Sequence, residues 1–375
     1  MTNTYSRQSI DEDDIKVVCD ALRGDILTGG SKVSEFEKAL CDYTGAKFAV
    51  VMNSATAALH AGYLALGVQS GDEIITTPIT FAATANTALM CGANVKFADV
   101  LGNGNIDPKS VEKLISPKTK VITPVDLGGF PVDMDALNLL AKSRGIKILD
   151  DASHALGSSI NGKKVGSLAD ATVFSFHPIK PVTTLEGGAL LTDDEEIATK
   201  ARLIRSHGII KKEAWNSDMI SLGYNYRLSD VACALGTSQM KKLDKFIAKR
   251  DEIAKFYDAK FEKSPYLSTI KIPANVKSSH HLYPVLLFRE FWCAKQDIYE
   301  ELHAQNIGVQ VHYKPTYQFS FYKNLYGEMS LPNVEDFYRA ELSLPCHQLM
   351  SLEDANFVVE KLNEILAKFK GCKVI

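Results

Sequence analysis
From residue 47 onward, short apolar runs alternate with segments of helical pattern. KFAVV (47–51) is β-rich, NSAT is a polar turn, and AALHAGYLALG (57–67) has helical content closed by a glycine. The pattern repeats as IITT (74–77), a proline turn and FAATANTALMCG (81–92). NVKFADV (94–100), VITPVDL (121–127), DMDALNLLAKSRG (133–145) and IKILDDA (146–152) continue it. Parallel neighbours need a crossover connection, so this alternation predicts βαβ units and a mainly parallel sheet. ATVFSF (171–176) and GALLT (188–192) read as two more buried strands. From 229 to about 263, Leu235, Leu243, Phe246, Ile253, Phe256 and Phe261 predict one long amphipathic helix, bent near Gly236. It leads to a second, smaller domain with HLYPVLLF (281–288) as a strand and AKQDIYEELHAQNIG (294–308) as a helix. A final helix, about 352–369, should bury Phe357, Val358, Leu362, Ile365, Leu366 and Phe369 on one face. The expected division is a large domain over 1–245 and a small α+β domain over 246–375. There is no internal repeat and no low-complexity linker.

A length of 375 residues agrees with two domains at roughly 150 residues each. With 46% apolar and 23% charged residues, the chain is not a disordered, collagen-like or disulfide-framework protein. A formal net charge of −3 and no basic block argue against nucleic acid or an anionic membrane as partner. Seven scattered cysteines, Cys372 among them, with no CxxC, fit reduced thiols in a cytoplasmic protein. The N-terminus has no apolar run of a secretory signal. Segments 48–71 and 74–95 lack charged residues, but Asn53, Ser54, Thr56, His60, Thr76, Thr77, Pro78, Thr80 and Asn86 mark them as buried structure around polar turns rather than membrane spans.

Three places carry candidate chemistry. NSATAAL (53–59) is a strand-to-helix turn of small residues, whose free N–H groups suit a phosphate, or whose Asn53 or Ser54 simply caps the helix. Asp150 and Asp151 end a β-run, where side chains of an open α/β sheet face the ligand crevice. A carboxylate there can keep a cofactor ring nitrogen protonated, or can cap the next turn. In FSFHPIKP (174–181), Lys180 lies between Pro178 and Pro181 just past a buried strand. The prolines stiffen the backbone and fix the direction of approach that a Schiff-base lysine requires; the alternative is a surface lysine in a turn. Phosphate turn, strand-end Asp and then Lys, in that order, supply the three anchors of pyridoxal 5'-phosphate (PLP). A Rossmann dehydrogenase, the rival reading, would need a GxGxxG after its first strand, which is absent.

These motifs, with LTGG (27–30), TFAAT (80–84), DDASHALG (150–157), EGGAL (186–190), GYNYRLSD (223–230) and VHYKP (311–315), run nearly the length of the chain. Together they resemble the DegT/DnrJ-type nucleotide-sugar aminotransferases, which are fold-type I PLP enzymes. The resemblance implies an α/β fold with a large domain built on a mainly parallel seven-stranded sheet flanked by helices, plus a smaller C-terminal α+β domain. It implies that Lys180 is the Schiff-base lysine and Asp151 the partner of the ring nitrogen. Ala55, Thr56 and Ser175 would hold the phosphate, Asn225 would reach the phosphate bound by the other subunit, and Phe81 would stack on the ring. Tyr5, Asp25, Ile26, Leu27, Thr28, Gln310, Val311, His312 and Tyr313 fall on the substrate side. The implied reaction moves an amino group from L-glutamate to carbon 4 of a UDP-linked 2-acetamido-2,6-dideoxy-4-keto hexose. Its product is the UDP-4-amino-4,6-dideoxy-N-acetyl-L-altrosamine of pseudaminic acid synthesis. The alternative is another UDP- or dTDP-linked 4-keto or 3-keto sugar. Family members are typically homodimers with shared sites. Related sugar dehydratases carry His in place of the lysine, so Lys180 disfavours that branch.

Four further features invite weighing. His177, just past a buried strand, could tune the site or serve as hydrogen-bonded structure. His280 and His281 are adjacent, which gives no shared-face metal geometry, and no His/Cys cluster has zinc-like spacing, so no metal is expected. Arg227 could hold a diphosphate or a carboxylate, or pair with Asp230. Tyr313, Tyr317, Tyr322 and Tyr326 could floor a uridine pocket or pack at a dimer interface.

Overall fold
A computed structural model describes residues 4–369. The main sheet is built from β1 (Phe48–Met52), β2 (Glu73–Thr76), β3 (Asn94–Phe97), β4 (Thr119–Thr123), β5 (Lys147–Asp151), β6 (Ala171–Ser175) and β7 (Gly188–Thr192). Their spatial order is β1-β7-β6-β5-β4-β2-β3, and β7 alone runs antiparallel to its two neighbours. The mainly parallel seven-stranded sheet is therefore present, with helices on both faces. One face carries Tyr63, Leu149, Val173 and Leu190; the other carries Phe174, Phe176, Ala189 and Leu191. Such double coverage explains why the strands are apolar throughout rather than alternating.

Two helices precede the first strand that the alternating pattern marked: α1 (Glu12–Leu22) and α2 (Ser31–Thr44). After β1 the chain enters α3 (Ala55–Ala65), whose N-cap Ser54 accepts a hydrogen bond from the Ala57 N–H. α4 (Ala83–Met90) follows β2. The long helix expected from 229 is two helices, α5 (Asp230–Met240) and α6 (Leu243–Phe261), parted at Lys241–Lys242. Gly236 does not bend it. A β-carbon there would stand 2.6 Å from the Phe36 ring, so the glycine lets α5 pack closely on α2.

The apolar contacts of α6 change over along its length. Leu243 and Ile247 join the core on the large sheet, whereas Ile253, Ala254, Tyr257 and Phe261 join the C-terminal one. That second core lies on a three-stranded antiparallel sheet of β8 (Leu267–Thr269), β9 (Tyr283–Leu287) and β10 (Glu341–Leu344), in the order β8-β9-β10. It is covered also by the helix Lys295–Ala304 and by α7 (Leu352–Lys368). α7 buries Ala355, Val358, Val359, Leu362, Ile365 and Leu366; Phe357, expected on this face, is 38% exposed and sits just off the stripe. The segment after Tyr313 returns to the large sheet. Tyr317 and Tyr322 pack against Phe97, and the Tyr326 hydroxyl accepts from the Val95 N–H at 2.9 Å. These contacts pack the three tyrosines against the sheet of their own chain.

Among the described residues no helix is long and apolar enough to cross a membrane, and no His/Cys/Asp/Glu group could hold a metal. Six cysteines are free thiols, and Cys372 lies outside the described residues.

Candidate active site
Strand register places the candidate anchors along one edge of the large sheet. Met52 pairs with Gly188, and Gly188 pairs with Ser175, so the turn after β1 and the end of β6 flank the start of β7. Asp151 ends β5, the parallel neighbour of β6, on the same edge. Gly188 has a steric reason. A β-carbon there would lie 2.5 Å from the Ala55 backbone nitrogen, so only glycine lets β7 approach the first turn of α3 this closely. Ala55 and Thr56 follow the Ser54 cap, whose hydroxyl accepts from the Ala57 N–H and whose carbonyl accepts from the Ala58 N–H. The N–H groups of Ala55 and Thr56 remain at the helix terminus, an arrangement suited to an anion.

Asp151 is buried, and its carboxylate accepts from Thr84 Oγ1 at 2.7 Å and from Ser153 Oγ at 2.5 Å. Neighbouring residues of a strand point to opposite faces, so Asp150 is turned away. Both its carboxylate oxygens are buried without a hydrogen-bond partner among the described residues. Burial raises its pKa well above the usual carboxylate range, making it a weaker acid, and Asp126 and Asp151 add to this.

Lys180 is buried, with its backbone N–H bonded to His177 O at 2.9 Å. Its amine meets His281 Nε2 at 3.3 Å. Burial lowers the lysine to about 7; Asp151 opposes that effect and Arg250 adds to it. A surface lysine is thereby excluded. His281 lies against the His154 ring, with centroids 4.4 Å apart. His154 Nδ1 accepts from the Gly128 N–H at 3.2 Å, so its Nε2 carries the proton and donates to the Tyr313 hydroxyl at 3.2 Å. His312 bonds Ser343 Oγ through Nδ1 and lies 5.2 Å, ring to ring, from Tyr5. Burial holds His154 and His281 well below the ordinary histidine range and His312 at about 3, with Lys180 acting in the same direction.

The structure thus brings Lys180, His312, Tyr313 and Tyr5 around one buried cluster. Ser175, Ala55 and Thr56 share an edge with Asp151. Phe81 stands 65% exposed at the entry to α4. The remaining candidates form a different group. Asp25, Ile26, Leu27 and Thr28 are exposed; Thr28 bridges Ser229, and Leu27 O accepts from the Asp230 N–H. Asn225 is exposed, with its carbonyl accepting from Asn53 Nδ2 of the α3 turn at 3.2 Å. Gln310 pairs with Ser343 through backbone bonds, and Val311 is half-buried beside it. Arg227 does not pair with Asp230. That carboxylate instead accepts from the Gly30 and Lys32 N–H groups and so caps α2.

Histidine 281 escaped the sequence reading, which weighed the His280–His281 pair only as metal ligands. His280 takes a left-handed backbone conformation, φ 46°, and the turn sends the two adjacent rings in different directions. His280 Nε2 points to Asp251 at 3.5 Å while His281 turns to Lys180. His154 was visible only as a letter in DDASHALG, and Thr84 and Arg250 carried no local signal.

Residues 8–363 match the DegT/DnrJ/EryC1/StrS aminotransferase family. The chain belongs to this family. It is an aminotransferase, and its fold is that of the fold-type I PLP-dependent enzymes. The chain is 58% identical over 370 residues to the UDP-4-amino-4,6-dideoxy-N-acetyl-beta-L-altrosamine transaminase of Campylobacter jejuni strain 81-176, covering 98% of both. It is similar to Helicobacter pylori PseC, an aminotransferase involved in the biosynthesis of pseudoaminic acid, with 44% identity and a TM-score of 0.95 over 97% of this chain and 99% of that one. The PLP form of the putative sugar aminotransferase Spr1654 from Streptococcus pneumoniae matches with a TM-score of 0.94 and 32% identity over 97% and 98% of the two chains.

Proposed function
We propose that this chain is a PLP-dependent aminotransferase that moves an amino group from L-glutamate to carbon 4 of a UDP-linked 2-acetamido-2,6-dideoxy-4-keto hexose. The product is UDP-4-amino-4,6-dideoxy-N-acetyl-L-altrosamine, for pseudaminic acid synthesis. The observation that carries the chemistry is the buried Lys180 amine, lowered to about 7 and set beside a sheet edge that also holds Asp151 and the α3 terminus. The residues fit PLP. A helix terminus with free N–H groups suits its phosphate, a buried carboxylate suits its ring nitrogen, and a neutral amine suits its aldehyde. The specific sugar is supported by the altrosamine transaminase, at 58% identity along nearly the whole of both chains.

In this reading Ala55, Thr56 and Ser175 hold the phosphate, and Phe81 stacks on the ring. Asp151, oriented by Thr84 and Ser153, keeps a positive charge on the ring nitrogen. The bound cofactor supplies an electron sink for the substrate carbon. Lys180 Nζ removes the proton from the glutamate α-carbon and later delivers a proton to the sugar carbon. Tyr5, residues 25–28 and Gln310 to Tyr313 contact the sugar nucleotide. The chain divides near 245/246 into a large cofactor domain and a small domain.

A homodimer with shared sites belongs to the same proposal. Ile26, Leu27, Trp215, Met219, Ile220 and Leu222 are exposed large apolar residues near Asn225 and Thr28 in the chain, and water exposure of so many disfavours a free monomer. A second copy covering them would carry Asn225 toward the partner's phosphate. The unpaired described cysteines favour the reducing cytoplasm.

The test is a panel of UDP- and dTDP-linked 4-keto and 3-keto sugars with L-glutamate, preceded by a visible absorption spectrum. A visible band and turnover of the UDP-linked 4-keto hexose are expected. Absence of the band overturns the cofactor, and turnover confined to another sugar overturns the substrate.

A further inference from the structure
Among the described residues the amine of Lys180 has no carboxylate hydrogen-bonded to it; its partner is His281 Nε2 at 3.3 Å. His281 is 1% exposed, and its Nδ1 is buried without a hydrogen-bond partner among the described residues. Buried polar atoms are normally paired, so a side chain that only filled space would better be apolar. The backbone that carries the ring is braced. Fully buried Arg250 donates to the carbonyls of His280, His281 and Cys346 at 3.2, 3.4 and 2.7 Å. It donates further to Ser6 Oγ at 3.3 Å, and Ser6 Oγ donates to the carbonyl of Ile179, next to the lysine, at 2.8 Å. Ser279 Oγ ties the same loop to His154 O at 2.7 Å. One buried guanidinium thus braces both His281 and the Lys180 loop.

We propose that His281 orients the Lys180 amine by accepting an N–H hydrogen bond at Nε2, which leaves the amine lone pair free to take the substrate proton. The inference rests on Lys180 being the lysine that carries the cofactor. The proton balance is simple. Neutral Nζ takes the proton from the substrate carbon and becomes an ammonium. It keeps its N–H···Nε2 bond throughout, gives the proton to the accepting carbon and returns to the neutral amine. No proton passes to the imidazole. The groups facing it, namely Lys180, His154, His312 and Arg250, all disfavour a second positive charge, and Asp151 acts on the lysine itself. Tyr313 is occupied with His154.

The experiment uses the holoenzyme and two variants. His281→Leu keeps the volume without an acceptor, and His281→Gln restores one. Borohydride fixation and peptide mapping come first; label on a lysine other than Lys180 overturns the functional reading and this inference with it. With the label on Lys180, His281→Leu should slow the single-turnover reaction with L-glutamate by about 30-fold, with a larger effect of α-deuteration and little change in the glutamate concentration needed. The apparent pKa of the visible band should fall, because the hydrogen bond favours the protonated nitrogen, and His281→Gln should recover most of both. Wild-type behaviour of His281→Leu, or a His281→Gln as slow as His281→Leu, overturns the inference while the functional reading stands. Where His281→Leu does not fold, histidine-labelled wild-type enzyme carries the test by nitrogen NMR. One imidazole Nε2 resonance must shift when borohydride reduces the Lys180 linkage, and no shift overturns the inference.

Discussion
Lys180 shows how a single residue is tuned by its surroundings. Burial disfavours its charged form, and Arg250 nearby does the same, so the amine sits at about 7 against the ordinary 10.5. An amine attacks an aldehyde only when neutral. Capture of added PLP by the cofactor-free chain, followed by the visible band, should therefore rise through about pH 7 and level off above it. A rise centred near the ordinary lysine value would contradict the buried environment. The same shift has a stability consequence. Between about 7 and the ordinary value the unfolded chain binds a proton that the folded chain does not, so this group's contribution to stability increases as pH rises across that window. Asp151 and Asp150 were inseparable in sequence. Strand alternation separates them, because Asp151 is oriented by Thr84 and Ser153 while Asp150 is buried without a partner among the described residues. Asp151→Asn should fold, with an unchanged melting temperature to within a few degrees, and lose most transamination, on the order of 100-fold or more. Turnover near wild type in that variant would move the role elsewhere.

Individual elements set the geometry that these residues need. The start of β7 touches the first turn of α3 because position 188 has no β-carbon. Gly188→Ala should push the two apart, lower stability by about 1–3 kcal/mol in a melting experiment and weaken PLP binding more than glutamate binding. An unaltered affinity for PLP would show that the α3 terminus does not hold its phosphate. The helix of 230–261 illustrates where pattern reading misplaces a feature. Glycine in a helix signalled a bend, but Gly236 serves close packing on Phe36, and the break falls at two lysines whose composition gives no warning. The C-terminal tyrosines make the same point. Their spacing is aromatic and periodic, yet whether they meet a ligand, a partner or their own sheet depends on where the chain returns.

For the molecule as a whole, the outstanding issue is whether one chain completes a site. Asn225 is exposed, and its backbone rests on the Asn53 turn of its own chain, while residues 25–28 and the apolar side chains near it face outward. Two inactive variants, Lys180→Ala and Asn225→Ala, decide the matter on mixing. With Asn225 supplied across the interface, a mixed dimer contains one site with both residues intact, and activity returns as subunits exchange. With Asn225 acting in its own chain, every site stays defective; verified exchange without activity would exclude sharing. The residue pattern alone determined the alternating strand–helix order and the mainly parallel sheet, and it pointed to three candidate anchors, since burial periodicity, turn chemistry and strand ends are local properties. It singled out Lys180 because two prolines restrict the backbone on either side. Tertiary structure alone decided what surrounds that lysine. His281, more than a hundred residues away, and Arg250, which braces it, reach the amine through the docking of α6 and of the loop before β9 onto the 128–129 and 154 segments, and no local rule encodes such contacts. The antiparallel insertion of β7 and the role of Gly188 belong to the same class, because they depend on which strand becomes which neighbour.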